Sequence, residues 1–130
     1  MIRREILGTG DDAGAHAIGL VDLTARYALS RGFDVIVEGL LSAPKYQETL
    51  LRLAVEHQGV TRCYIYDVSF EETVRRHLTK PVADAFDEVE MRQWWRGFQP
   101  VDGLDEAVID QHESLESTMA RVLSDCWPVP

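Results

Sequence analysis

A chain of 130 residues, 45% hydrophobic and 27% charged, has the balance of an ordinary globular protein and the length of one domain. Its formal charge of −9 excludes non-specific binding to nucleic acid or to an anionic membrane, because both need a net basic face. No apolar run is long enough to cross a bilayer, and Met1-Ile2-Arg3-Arg4-Glu5 lacks the apolar core of a signal peptide, so the expected location is the cytoplasm.

In chain order, Gly8-Thr9-Gly10-Asp11-Asp12 reads as a loop ending in helix-capping acids. Ile18, Val21, Ala25, Ala28 and Leu29 then recur at helical spacing, and Arg31-Gly32 ends that helix. Phe33-Asp34-Val35-Ile36-Val37-Glu38 carries three consecutive β-branched residues, the pattern of a parallel strand buried on both faces, with Gly39 at its end. A second helix is predicted from Pro44 to His57, bearing Tyr46, Leu50, Leu53 and Ala54 on one side. Thr61 to Val68 reads as a second strand, within which Cys63 serves as a small hydrophobe; no disulfide with Cys126 is expected.

Ser69-Phe70-Glu71-Glu72 has the form of a capping box, with Ser69 as cap and Glu72 reaching back. The helix it opens is expected to turn Phe70, Val74 and Leu78 inward, and Pro81 stops it. From Val82 to Gly103 the chain is mixed, with one short helix predicted at Met91–Arg96. Ala107-Val108-Ile109 is a third strand, and Ser114 caps a last helix bearing Leu115, Met119, Val122 and Leu123. Helices alternating with strands imply a parallel sheet with helices on both faces. Ligands bind such sheets at the carboxyl ends of the strands, which directs attention to Glu38-Gly39, Asp67-Val68 and the residues after Ile109.

Three segments taken together resemble the P-loop small-molecule and nucleoside kinases. Val35-Ile36-Val37-Glu38-Gly39 is similar to the strand that follows their substrate-side helices. The stretch from Tyr64 to His77, with Glu71 followed by Arg75-Arg76, is similar to their next strand and the helix entering the lid. Residues 81–103 have the character of that lid, and Arg3-Arg4 resembles an arginine pair on the substrate side. The resemblance implies an α/β fold over residues 1–130: a three-layer parallel sheet with helices on both faces, lacking the first strand and the phosphate-binding loop. No G-x-x-x-x-G-K-[ST] occurs, and Gly8-Thr9-Gly10 is followed by two aspartates that repel phosphate. Losing a central strand removes roughly five buried side chains at about 1.5–3 kcal/mol each. The expectation is therefore a truncated start, or a partner that fills the gap.

What the resemblance implies for function is ATP-dependent phosphoryl transfer to a small hydroxyl-bearing acceptor. ATP and Mg²⁺ are implied by it alone, and neither is expected to bind this chain tightly without the loop. Arg76 and Lys80, four apart on one helix, would neutralise charge on the transferring group, or else form a solvated face with Arg76 paired to Glu72. Glu38 would hold magnesium through water or orient a substrate hydroxyl, or cap the following turn. Gly39 allows close backbone approach. Arg3 and Arg4 would grip an anionic substrate group, and Tyr46 would line the acceptor pocket; a frayed basic terminus and a core aromatic are the alternatives. Trp94, Trp95 and Arg96 read as a stacking lid or as a half-buried aromatic pair. The histidines show no metal-ligand spacing. The alternative function is a non-catalytic binding or regulatory module, a homodimer that covers the exposed sheet.

Overall fold

The computed structural model describes residues 6–7, 11–81 and 83–128. Arg3 and Arg4, and the Gly8-Thr9-Gly10 turn, lie outside the described residues. Among the described residues the fold is mixed α/β, with five helices and a two-stranded parallel sheet. The chain divides into two compact units, Met1–Val60 with Asp102–Leu104, and Thr61–Val101 with Asp105–Pro130.

The first unit is built on α1 (Asp11–Ser30) and α2 (Ala43–Glu56). Small side chains mark the buried face of α1, where Ala17 and Ala25 are almost fully covered. Charges tie the two helices. Asp22 receives Arg26 at 2.9 Å and Arg52 of α2 at 3.1 Å, and Arg26 also pairs with Glu56. Such half-exposed pairs, screened by water, add little to stability. The end of α1 is a Schellman turn: Phe33 N–H donates to Ala28 O (3.1 Å) and Gly32 N–H to Leu29 O (3.0 Å), with Gly32 at φ +79°. That left-handed position is why the sequence places glycine there.

Phe33–Glu38 forms no strand, contrary to the sequence reading. A parallel strand needs a neighbour to take its N–H and C=O groups, and the only described sheet contains Tyr64–Asp67 and Ala107–Asp110. Outside that sheet, Phe33 is 67% and Ile36 80% exposed. The three-residue β-branched run therefore does not make a strand here.

In the second unit, β1 (Tyr64–Asp67) pairs in parallel with β2 (Ala107–Asp110), Tyr64 opposite Ala107 and Asp67 opposite Asp110. Between them the chain runs through α3 (Phe70–His77), a 3₁₀ turn at Ala83–Ala85 and α4 (Glu88–Trp94); α5 (Leu115–Cys126) follows β2. Tyr64 Oη donates to Asp125 Oδ2 at 2.8 Å, and Arg121 donates to Val108 O at 3.0 Å, fixing α5 on the sheet. Burial first, then the bond to Asp125, pushes the Tyr64 hydroxyl well above its usual range. Burial likewise raises the thiol of Cys63, with Glu106 adding to it, which keeps it an unreactive core filler; Cys63 and Cys126 are free thiols.

One packing expectation fails. On α3, Leu78 is 68% exposed, and the buried residue of the last turn is His77. Its Nε2 lies 3.1 Å from both Ala83 O and Phe86 O, and its ring stacks on Phe86 at 4.2 Å. Local hydrogen bonding at the turn outweighs the apolar side chain next to it. On α5, Leu115, Met119 and Leu123 are exposed and Thr118 is buried, while Asp125 and Arg121 bond to Tyr64 and to Val108 O of the sheet. Within the excursion, residues 83–95 are more ordered than their composition implies. Asp87 and Glu90 form a reciprocal capping box on α4 at 2.9 and 3.0 Å. Phe86 then packs edge-on to Trp94, and Phe70 lies between the Arg92 guanidinium (3.4 Å) and Trp95 (5.7 Å).

Candidate functional site

Parallel strands align their carboxyl ends, and here both end in aspartate. Asp67 closes β1 and Asp110 closes β2 as register partners. The chain after each strand turns away to start a helix, which leaves an open cavity of about 460 Å³ over the sheet edge. It is lined by Asp67, Val68 and Ser69 on one side, Asp110, Gln111 and His112 on another, and Trp95 and Phe98 from the segment after α4. The volume lies within the range of small-molecule sites, ~300–1,000 Å³.

Hydrogen bonds fix the rim. Ser69 caps α3 by accepting from Glu72 N–H (3.2 Å), and its own N–H donates to Gln111 Oε1 (3.0 Å). Gln111 therefore turns its Nε2 toward His112 Nε2 at 3.4 Å, so that ring nitrogen accepts. His112 N–H donates to Asp110 Oδ1 at 2.8 Å. Arg76 reaches across from α3 and donates from Nη2 to Gln111 O at 2.6 Å.

Glu72 is the hub behind this rim. The expected back-bond to Ser69 is absent, because its carboxylate takes Arg75 at 2.6 and 2.7 Å and Arg76 at 2.7 Å. Charge-assisted pairing with two guanidinium groups outcompetes a neutral backbone N–H. The Arg75 bonds first, then that of Arg76, hold the Glu72 carboxyl down to about 2.

Of the site residues named from the sequence, Arg76 stands at the cavity rim, bonded to Glu72 as the solvated-face alternative foresaw and also to the loop after β2. Lys80 is exposed beyond the end of α3 and makes no ion pair among the described residues. Glu38, Gly39 and Tyr46 belong to the first unit. Glu38 is exposed, Gly39 occupies φ +144° in the turn leading to α2, and Tyr46 is half-buried on α2. The rule that ligands lie beyond strand ends found Asp67 and the residues after Ile109. It missed Phe98, whose signal was its aromatic character in a polar stretch.

Among the described residues no group of three or more His, Cys, Asp or Glu side chains is placed to hold a metal. Asp67 and Asp110 offer two carboxylates, a donor set that fits Mg²⁺ only where water and substrate phosphates complete the octahedron. No described helix is long and apolar enough to cross a membrane. Comparison with family models, curated proteins and solved structures gives no match.

Proposed function

We propose that the chain is the acceptor-side and lid portion of a cytoplasmic P-loop-type kinase, transferring phosphate from MgATP to a small hydroxyl-bearing acceptor. In that reading the two described strands belong to a larger three-layer parallel sheet. The observation that carries it is the cavity at the carboxyl ends of β1 and β2, with Arg76 fixed at its rim by Glu72 and by Gln111 O. Phosphoryl transfer asks a protein for positioning and cations more than for covalent chemistry, and a guanidinium tied at a strand-end cavity supplies both. Lys80, one turn further along, adds a mobile charge without Arg's fork. Glu38, Gly39, Tyr46, Arg3 and Arg4 keep the acceptor-side roles that the resemblance gives them.

The test is the coding sequence upstream of Met1 read in frame, followed by phosphate transfer from radiolabelled ATP by the chain so extended. A G-x-x-x-x-G-K-[ST] segment, with transfer reduced at least about tenfold by Arg76→Ala, supports the proposal. An in-frame stop before any such segment overturns it.

One observation favours the second reading, a non-catalytic binding or regulatory module. The cavity wall contains two aspartates and neither lysine nor arginine, and Arg76 is already engaged. This reading gives no magnesium-dependent ATP binding by calorimetry and a dimer by sedimentation. A monomer that binds MgATP tightly eliminates it.

A further inference from the structure

We propose that the cavity at the ends of β1 and β2 binds an organic cation: a protonated or quaternary amine carried on a small apolar body. The inference rests on the composition and geometry of the walls and is independent of any phosphoryl transfer.

Asp67 and Asp110 are opposite one another in adjacent parallel strands, which stand about 4.8 Å apart. Like charges placed directly opposite destabilise a sheet. A positive group held between them removes that cost. The Asp110 carboxylate accepts a single bond, from His112 N–H, and the Asp67 carboxylate makes no hydrogen bond or ion pair among the described residues. Most of the acceptor capacity of both carboxylates is therefore open to the cavity.

The other walls suit the rest of such a ligand. Trp95 and Phe98 stand 39% and 45% exposed where they line the space. An aromatic face attracts a cation electrostatically, most strongly for indole, and also covers methyl or methylene groups. No Lys or Arg lines the cavity. The guanidinium behind its rim, Arg76, is turned to Glu72 and to Gln111 O. An anion thus meets two carboxylates in the wall, while the guanidinium behind the rim is already paired. A bare metal ion meets too few oxygen donors and two ring faces that offer none.

The experiment titrates the full chain with choline. Its uncharged isostere 3,3-dimethylbutan-1-ol and pyrophosphate serve as controls. Binding is followed by the indole N–H resonances, with that of Trp95 assigned through Trp95→Phe. Choline is expected to saturate the Trp95 shift at millimolar concentration, the alcohol to bind at least about tenfold more weakly, and pyrophosphate to leave that resonance in place. Asp67→Asn with Asp110→Asn is expected to weaken choline about tenfold without lowering the unfolding midpoint, since the pair relieves repulsion. Phe98→Ala, away from the Phe70–Trp95 packing, reports the aromatic wall independently by a several-fold loss. Equal binding of the alcohol, no saturation by about 100 mM choline, or choline affinity unchanged in the double asparagine variant each overturns the proposal.

Discussion

The Arg76 guanidinium donates to the backbone carbonyl of Gln111 at 2.6 Å, so one side chain of α3 sets the position of the loop that follows β2. The same group is held from behind by Glu72 at 2.7 Å, giving a chain of Glu72, Arg76 and Gln111 across the strand ends. Arg76→Ala is expected to cost about 1 kcal/mol in urea unfolding, the low end for a charge-assisted bond because the arginine is part-exposed. It should also shift the resonances of Gln111 and His112. Arg76→Lys is expected to restore little, since an ammonium cannot serve two acceptors in fork geometry. Full rescue by lysine contradicts the bridging role.

Glu72 gives the chain a pH signature. Its carboxyl is held at about 2, against an ordinary 4.5, by Arg75 first and then Arg76. A depressed folded-state value stabilises the fold fully above the unfolded value and loses that contribution as pH falls through the folded one. The stability difference between wild type and Glu72→Gln is therefore expected to be constant from pH 7 to about 5. It should shrink between about 4.5 and 2. Urea midpoints for the two proteins across that range provide the check. A difference that stays flat down to pH 2 excludes the assignment.

His77 shows what was legible in the sequence and what was not. Local signals were read correctly: the caps at Ser69 and Ser114, the glycine ending α1, the proline opening α2, and strands in Thr61–Val68 and Ala107–Ile109, which the structure narrows to Tyr64–Asp67 and extends to Asp110. These depend on a few adjacent residues, and their chemistry is the same in any fold. The misses all turn on what lies across space. Leu78 reads as core by periodicity, yet His77 is buried, with two carbonyls six and nine residues further along the chain converging on its ring nitrogen. Likewise, Glu72 reads as a capping-box partner until two arginines on the next turn compete for it. The cavity was legible as a place, beyond the strand ends, while its aromatic wall came from a segment with no periodicity to read.

The buried His77 should therefore be a structural keystone of the segment that carries Trp95 and Phe98. Its Nε2 serves Ala83 O and Phe86 O, and its ring stacks on Phe86. His77→Leu keeps the bulk and removes the polar partner, which is expected to cost about 0.5–1.5 kcal/mol, the net worth of a hydrogen bond. Hydrogen exchange over residues 83–95 should accelerate in the variant, while exchange in α1 and α2 stays unchanged. Uniform acceleration across the chain indicates a general loss of stability and not a local anchor.

Ile36 discriminates between the strand read from the sequence and the extended segment in the structure. A central parallel strand would bury this side chain, and replacing it with aspartate would cost several kcal/mol through lost burial and a stranded charge. In the structure Ile36 is 80% exposed and lies outside the sheet. Ile36→Asp is accordingly expected to change stability by less than about 0.5 kcal/mol, as for other surface substitutions. The amides of residues 35–38 should exchange without protection, since no ladder holds them. A loss above about 2 kcal/mol, or slow exchange across 35–38, means that these residues pair with a strand in solution. Such pairing would favour the larger sheet that the kinase reading requires over the non-catalytic module.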